Sequence, residues 1–475
     1  MLNTLNDALN NIDNFIWGMP LIVLILFTGI LLTVRLRGLQ VRHLGKALHY
    51  VFHNEDDGEG EVTSFGALCT ALSATIGTGN IVGCATAIVA GGPGALFWMW
   101  LAAFFGMATK YAEGMLAVKY RVIAEDGHAL GGPFYYIEKG MGKNFKWLAK
   151  LFCVFGTMVG LFGIGTFTQV NGITSAVNNF FDPSNVHTIS LFGMNYSISV
   201  VVAGIIVTIC AGLVIIGGIK RISKVSEVIV PFMAVTYIGV CLIIVFTHLP
   251  QVPAAFVQIV QSAFGLKAAA GGAIGAMTVA MQKGIARGIF SNEAGLGSAP
   301  IAAAAAQTNE PVRQGLVSMT GTFIDTIIVC TMTGLAIVMT GAWDMGLEGV
   351  AVTTKAFALG LPFPAKASAF VLMMCLVFFA FTTILGWAYY SERCLEYLVN
   401  GKKFVITAFK WFYILAVFIG PFMTVSAVWT IADICNGLMA FPNLVALLAL
   451  NGDVVSETRG YLERVGIVKT TVGEA

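Results

Sequence analysis

Long apolar runs separated by short polar connections constrain this chain more than any other feature. A helix needs about 20 residues to cross the hydrocarbon core of a bilayer, which is about 30 Å thick. Eleven segments are long enough: 16–36, 63–90, 94–120, 148–179, 197–217, 225–248, 254–288, 313–341, 366–390, 404–420 and 422–450. Charged residues make up only 11% of the chain, against roughly 25% in soluble domains. The sequence therefore predicts an all-α integral membrane protein with about 11 transmembrane helices.

Basic residues alternate along the chain in a way that fits this number of spans. Lys and Arg cluster after span 1, between spans 3 and 4, 5 and 6, 7 and 8, and 9 and 10, and in the tail. Loops 179–196 and 249–253 contain none, and loop 342–365 contains only Lys355. Because basic loops stay in the cytoplasm, we expect the N-terminus outside and the C-terminus in the cytoplasm. Residues 1–15 contain no Lys or Arg, so the first apolar run indicates a retained span in the cell membrane rather than a secretory signal.

Two spans contain polar and glycine-rich stretches that disfavour a continuous helix. They are "SATIGTGNIVG" at 73–83 in span 2 and "AAAGGAIGAMTVA" at 268–280 in span 7. The two spans are five apart, so they cross the membrane in opposite senses. This spacing predicts an inverted five-helix repeat with segments 63–250 and 251–450. An extra helix and connection over 1–62 precede the repeats, and a cytoplasmic tail over 451–475 follows them.

Paired broken helices in two inverted repeats are the sequence pattern of a secondary transporter. Half-helix N-termini suit a carboxylate, and unwound carbonyls suit a monovalent cation. Glycine-rich spans are also found at tightly packed helix interfaces, which is the alternative interpretation of each stretch. The chain has no HExxH or GxSxG motif, and its nine cysteines form no CxxC pair. These features argue against an enzyme and against a metal or disulfide framework, and a channel does not need two broken helices.

Several motifs resemble one known family. They are "GTGNIVG" (77–83), "GGPGALFWMW" (91–100), "GMATKYAE" (106–113), "KRISKVSEVIVPFMA" (220–234) and "FSNEAGLGSAP" (290–300). Together they are similar to the alanine or glycine:cation symporters, also called sodium:alanine symporters. The resemblance implies uptake of a small neutral amino acid driven by co-transported Na⁺. It also implies the leucine-transporter-type inverted repeat, with broken first and sixth core helices.

The resemblance further implies where the substrate binds. Its carboxylate would meet the first break, and its amino group would meet polar groups of the first and sixth core helices. The third core helix would cross the substrate site, and a large aromatic residue of span 9 would limit the size of the substrate pocket. The residues at these positions are Thr75, Thr78, Gly79, Asn80, Gln169, Gly272, Gly275, Thr278, Gln282 and Trp387. Gln169 could instead serve only as a hydrogen-bonding group between helices.

The cation site implied by the same fold lies between the first and eighth core helices. Carbonyls of Ser73 and Ile76 and the adjacent hydroxyls of Thr382 and Thr383 would hold Na⁺. A hard monovalent cation prefers oxygen ligands. Threonine hydroxyls also often bond back to the previous helical turn, so the pair is weak evidence by itself.

A small pocket favours alanine, with glycine and serine next, and glutamine is the main rival substrate. Proton-coupled symport on the same fold is the alternative mechanism. The expected partners are the amino acid and the lipid bilayer. We expect no nucleic acid and no obligate protein partner.

Charged residues within the spans have a cost in lipid and are functional candidates. Asp325 in span 8 fits a second cation contact, a hydrogen-bonded brace or a protonatable group. Lys110 and Glu113 are three residues apart in span 3, which predicts a local ion pair. Glu227 and Glu293 lie at span edges and are expected to anchor loops or gates.

Overall fold

The described residues of the computed structural model are mostly helical and include two short hairpins. The structure describes residues 2–53, 58–125, 127–191, 194–265, 272–423 and 426–466, without the side chains of 2–5, 191 and 426–429. The helices of the first half are α1 (Leu2–Ile16), α2 (Met19–Arg35), α3 (Leu39–Arg42), α4 (Leu44–Phe52), α5 (Ser64–Thr75), α6 (Cys84–Gly91), α7 (Gly94–Lys119), α8 (Pro133–Gly140), α9 (Lys146–Phe162), α10 (Phe167–Phe181), α11 (Ile198–Ile215) and α12 (Gly218–Thr247).

The second half continues the helical pattern in the described residues. Its helices are α13 (Val252–Ala263), α14 (Ala273–Asn292), α15 (Ala299–Ala303), α16 (Pro311–Thr322), α17 (Thr331–Thr340), α18 (Val350–Gly360), α19 (Ala365–Leu398), α20 (Lys403–Ile419), α21 (Ser426–Ala449) and α22 (Asn451–Arg464). Two π-helical segments occupy Gly79–Gly83 and Phe323–Cys330, and 3₁₀ turns occupy Lys143–Phe145, Leu249–Gln251, Ala342–Asp344 and Gly420–Phe422. The antiparallel hairpins pair β1 (Val122–Ile123) with β2 (Ala129–Leu130) and β3 (Thr188–Leu191) with β4 (Met194–Ser197).

The described part of the chain contains eight helical stretches that are long and apolar enough to cross a membrane, and nine if one bent pair counts as a span. The eight are Asn6–Arg35, Lys143–Phe181, Ile198–Ile215, Gly218–Thr247, Pro311–Thr340, Ala365–Leu398, Lys403–Phe422 and Thr430–Ala449. α7 and α14, which the sequence predicts as spans, are also long enough at 26 and 20 residues but are less apolar. The chain is therefore a multi-pass helical membrane protein.

The first predicted break is present. Thr63 caps α5, since its Oγ1 accepts a hydrogen bond of 2.9 Å from the Gly66 N–H. The helix ends at Ile76, whose ψ of 91° is extended. The chain then resumes as the π-helical segment at Gly79 and continues into α6, with an angle of 53° between the two parts. In the middle of the span, the Gly77 and Thr78 N–H groups thus point to side chains and not to helical carbonyls.

The predicted second break, at 268–280, is only partly described: α13 ends at Ala263, α14 begins at Ala273, and residues 266–271 between them are not described. Ala273–Asn292 is one uninterrupted helix, so the prediction is wrong for 273–280. The chain also breaks after Asn292, where Glu293, Gly295 and Gly297 all have positive φ (56°, 90° and 82°). This break at 293–297 is called the second break below. Helices tolerate isolated glycines at about 1 kcal/mol each, whereas three left-handed residues within five cannot continue a helix.

Close helix packing holds the two breaks together. A Cβ placed on Gly284 of α14 would lie 2.2 Å from the Ala95 carbonyl oxygen of α7. A Cβ on Gly386 of α19 would lie 2.7 Å from the Ala74 Cβ of α5. These glycines let α14 approach α7, and α19 approach α5, at backbone distance.

The predicted single span 148–179 is interrupted between α9 and α10. The Tyr413 hydroxyl of α20 donates to the Gly165 carbonyl at 2.7 Å and to the Ile384 carbonyl at 2.9 Å. A side chain from another helix therefore satisfies the Gly165 carbonyl that the interruption frees, as buried non-helical backbone in a membrane requires.

Candidate functional site

The first break is organised by the amide of Asn80, which is fully buried. Its Oδ1 accepts a hydrogen bond of 2.9 Å from the Gly77 N–H. Its Nδ2 donates to Asp325 twice, to Oδ1 at 2.7 Å and to the backbone carbonyl at 3.2 Å. Asn80 therefore caps the freed N–H of the break and ties it to the π-helical segment Phe323–Cys330.

Gln169 of α10 and Thr383 of α19 flank the break on its other sides. The Thr78 N–H points at Gln169 Oε1 over 3.5 Å, which is long for a hydrogen bond. A Cβ on Gly77 would lie 2.6 Å from Thr383 Oγ1 and 3.5 Å from Gln169 Oε1. The structure thus brings Thr78, Gly79, Asn80 and Gln169 together, with Thr75 at the end of α5 beside them.

The four predicted cation ligands lie on α19 and at the end of α5, and all four are buried. The contact between the two helices that involves them joins Thr383 and Ile76, whereas the Thr382 hydroxyl faces Met233 of α12. The Thr383 hydroxyl lies 3.5 Å from the Ile76 carbonyl oxygen and donates to the Phe379 carbonyl at 3.0 Å. The Thr382 hydroxyl bonds back to its own helix, at 3.0 Å from the Phe379 carbonyl oxygen. The Ser73 hydroxyl likewise bonds to the Thr70 carbonyl at 2.7 Å, so only its carbonyl is a candidate ligand. The donor set is entirely oxygen, which suits Na⁺.

Asp325 is the centre of a buried hydrogen-bond network. Besides Asn80, its carboxylate accepts from Ser291 Oγ at 2.8 Å and from Thr326 Oγ1 at 2.7 Å. Asn292 Nδ2 donates to Thr326 Oγ1 at 3.0 Å and extends the network to the end of α14. Of the three interpretations offered by the sequence, the described contacts are those of a brace that joins the two breaks.

The second break is stabilised by two buried glutamates. Glu293 Oε1 accepts a hydrogen bond of 3.0 Å from the Trp387 indole N–H, and the Ser298 hydroxyl donates to Glu293 Oε2. Glu113 of α7 accepts from the Gly295 N–H at 3.1 Å. Glu293 therefore anchors a loop, as the sequence predicts, and Trp387 is held by this anchor one turn beyond Thr383.

Four predicted substrate residues lie away from the first break and from the break at 293–297. Gly272 and Gly275 are exposed, and Thr278 and Gln282 are partly exposed. Gly79 faces Ser291, because a Cβ on Gly79 would lie 3.5 Å from the Ser291 Cα. Thr278 precedes Ser291 by 13 residues of continuous helix, about 20 Å at 1.5 Å per residue. Gly271, at the centre of the predicted second break, lies outside the described residues.

The predicted ion pair between Lys110 and Glu113 is wrong. Glu113 Oε1 is used by Gly295 and by Asn443 Nδ2, at 2.7 Å from the latter. The Lys110 Nζ has no hydrogen-bonding partner among the described residues. The two side chains are three residues apart on α7, but each faces a different neighbour.

Sequence reasoning missed the end of α14 as part of the site. Ser291 and Asn292 belong to the motif "FSNEAGLGSAP", in which three polar residues and two glycines follow a run of helix. That pattern is a break signal of the same kind as the first one. Because the stretch 268–280 earlier in the same span contains more glycines, the sequence predicts the break there and predicts the motif to be a connection between spans.

Comparisons with known proteins give matches along nearly the whole chain. The model of the sodium:alanine symporter family matches residues 2–472. An uncharacterized transporter of Haemophilus influenzae is 55% identical over 466 residues, 98% of each chain. The sodium/alanine symporter AgcS of Methanococcus maripaludis is 45% identical over 465 residues, 96% of this chain and 97% of that protein. The probable sodium/glutamine symporter GlnT of Bacillus subtilis is 38% identical over 452 residues, 94% and 89% respectively. This chain therefore belongs to the sodium:alanine symporter family, whose members are transporters and not enzymes.

Proposed function

We propose that the chain is a Na⁺-coupled symporter of a small neutral amino acid, with alanine preferred and glycine and serine next. The observation that carries the proposal is the contact of the first break with α19. There the Ile76 carbonyl oxygen lies 3.5 Å from the Thr383 hydroxyl oxygen. Further along the chain, Asn80 caps the same break from its other end. One unwound segment thus offers carbonyls to a cation and N–H groups to a carboxylate.

The substrate carboxylate would take the place of Gln169 Oε1 at the Thr78 N–H. That contact is long at 3.5 Å, so a carboxylate would gain a shorter, charge-assisted hydrogen bond there. The site has little room on the side of α14, since a Cβ on Gly79 would already lie 3.5 Å from the Phe290 ring. A short side chain fits this arrangement better than the side chain of glutamine.

The cation would lie between the Ser73 and Ile76 carbonyls and the Thr382 and Thr383 hydroxyls. The relative AgcS is named as a sodium/alanine symporter, which supports both the ion and the substrate. GlnT is named as a probable sodium/glutamine symporter, and glutamine is therefore the second candidate substrate.

The proposal includes the leucine-transporter-type architecture and its orientation. Segments 63–250 and 251–450 would be the inverted repeats, with 1–62 as an added helix and connection and 451–475 as a cytoplasmic tail. The N-terminus would lie outside. Alternating access would then move the broken helices relative to the helices that brace them.

The test is uptake of radiolabelled L-alanine into proteoliposomes that contain the full chain, with and without an inward Na⁺ gradient. Unlabelled glycine, serine and glutamine compete in separate arms. We expect Na⁺-dependent uptake that the two small amino acids suppress. Uptake that follows a pH gradient without Na⁺ would show that the coupling ion is H⁺. Suppression by glutamine alone would show that glutamine is the substrate.

The cation site is tested by Thr383→Val, which removes the hydroxyl and keeps the shape of the side chain. Thr208→Val is the matched control, because the Thr208 hydroxyl bonds back to the Gly204 carbonyl of its own helix, at 2.7 Å. We expect only Thr383→Val to raise the half-saturating Na⁺ concentration, by at least about tenfold. This factor corresponds to the loss of one contact with a charged group, about 1.4 kcal/mol. An equal effect of both variants, or of neither, would contradict the assignment.

A further inference from the structure

Lys110 is a buried cation that the proposed mechanism does not use. It lies within α7 and is 3% exposed. Its ammonium group carries three donors, yet Nζ has no hydrogen-bonding partner in the described part of the chain. Removing an ammonium from water without pairing it is strongly unfavourable, so an anionic group would gain from contact with Nζ.

The Lys110 side chain lines a small cavity directly beside both breaks. Thr75, the last residue of α5 before the first break, and Asn292, the last residue of α14 before the second, also line it. Its volume of about 20 Å³ is enough for one water molecule. The remaining lining residues come from α5, α15 and α16, and the polar ones among them are Gln314 and Ser318.

A second unpartnered polar group lines the same cavity. Gln314 of α16 is 1% exposed, and its Oε1 accepts no hydrogen bond from a described residue. Lys110 offers unused donors, and Gln314 offers an unused acceptor. An amino-acid zwitterion carries the complementary pair of groups, a carboxylate and an ammonium.

The neighbouring carboxylates do not neutralise Lys110 by contact. Glu113, Glu293 and Asp325 are near enough to interact with it electrostatically, but each is held by other partners. Glu113 accepts from Gly295, Glu293 accepts from Trp387, and Asp325 accepts from Asn80. None of these carboxylates therefore forms a hydrogen bond with Lys110 Nζ.

We propose that this cavity is an exit subsite for the amino acid, on the route from the breaks to the cytoplasm. Lys110 Nζ receives the substrate carboxylate there, and Gln314 Oε1 receives the substrate ammonium. The subsite rests on the function proposed above and goes beyond it. α5 starts on the side that the basic loops predict to be cytoplasmic, and the cavity runs along α5 toward that side. It widens to hold an amino acid when α5 moves away from α16.

The test compares the two faces of the transporter in exchange assays with reconstituted full chain. Alanine is varied either inside or outside the proteoliposome, in vesicles of known orientation. Lys110→Met and Gln314→Leu remove the proposed contacts, and Lys220→Met makes the same change at an exposed lysine of α12. We expect Lys110→Met to raise the half-saturating alanine concentration at least about tenfold on the cytoplasmic face, as for loss of a hydrogen bond between charged groups, and to leave the external face unchanged. Equal shifts on both faces, or no shift, would overturn the proposal.

A labelling experiment keeps the subsite testable if a variant folds poorly or alanine is the wrong substrate. Ser318→Cys places a thiol in the cavity, and Cys210→Ser removes the one exposed cysteine found in the described residues. A membrane-impermeant thiol reagent should modify the introduced thiol from the cytoplasmic face only, as detected by mass spectrometry. Modification from the outside, or from neither face, would overturn the exit route. Absence of alanine uptake by the unmodified chain would instead refute the proposed substrate.

Discussion

Replacing Gly386 by alanine tests whether the contact between α5 and α19 forms the cation site. The added Cβ would lie 2.7 Å from the Ala74 Cβ and 2.8 Å from the Ala74 Cα and N. These atoms cannot rotate away, so the two helices must separate. Reaching ordinary contact at 3.4 Å requires a local separation of about 0.7 Å. Thr383 and Ile76, the proposed ligands that contact each other across the two helices, would separate with them.

The size of the effect follows from the cost of overpacking. Inserting one methyl group into a closely packed interior costs about 1–3 kcal/mol. If Na⁺ binding needs α5 and α19 at their observed distance, the bound state bears this cost, whereas the free state relaxes. A difference of about 1–3 kcal/mol corresponds to about a 5- to 150-fold change in a binding constant. We therefore expect the half-saturating Na⁺ concentration of Gly386→Ala to rise within that range.

The assay is a Na⁺ titration of alanine uptake in proteoliposomes, together with the melting temperature of the detergent-solubilised protein. Gly83→Ala is the matched control, because a Cβ on Gly83 meets no atom within 4 Å and its φ of −64° is helical. The control should match the unmodified chain in both measurements. A lower melting temperature of Gly386→Ala with an unchanged Na⁺ titration would refute the reasoning, since the contact would then be structural only.

Three further predictions concern the brace, the α9–α10 interruption and one loop. Asp325→Asn should lower the melting temperature and the maximal uptake, because a donor replaces an acceptor in a buried network; a shifted Na⁺ half-saturation would instead make Asp325 a cation contact. Tyr413→Phe removes the donor to two buried carbonyls and should cost about 1–3 kcal/mol of stability; an unchanged melting temperature would contradict its hydrogen bonds. Hydrogen bonds from the Val186 and His187 N–H groups hold the pKa of Asp182 below its usual value. Since the lowered pKa belongs to the folded loop, its stabilisation is full above about pH 4 and is lost as the pH falls through the folded pKa. Amide protection factors of the loop, which are exchange rates corrected for the intrinsic effect of pH, should fall across that range, and a flat profile would contradict it.

The first break could be predicted from the sequence because its signal is local. Asn80 and the glycines beside it interrupt an apolar run, and polar backbone in lipid needs partners inside the protein. The second break could not be placed by counting glycines. Gly284 and Gly288 serve to pack α14 on α7, whereas the break depends on the positive φ of Glu293, a residue type that rarely adopts it.

Hydrogen-bond partners that lie far apart in the sequence could not be predicted, for a different reason. The spacing of Lys110 and Glu113 correctly places them on neighbouring turns of one helix, but a pair at this spacing contributes only about 0.2–0.5 kcal/mol. Glu113 gains more from Gly295 and Asn443, which form charge-assisted hydrogen bonds with it in a buried site. Such a competition is decided by residues far away in the sequence, and no local pattern reports it.

The geometry of the first break also bears on why ion and substrate would move together. Ile76 ends a helix, so its carbonyl lies at the negative end of α5, and Thr78 begins the next helical segment with N–H groups at the positive end. Only Gly77 separates these two residues. A cation that fixes the Ile76 carbonyl against Thr383 would also fix the orientation of the Thr78 N–H, so an amino acid binding second would have less backbone to order. Because such coupling is reciprocal, the amino acid must raise the affinity for Na⁺ by the same factor, which is the behaviour required of a symporter.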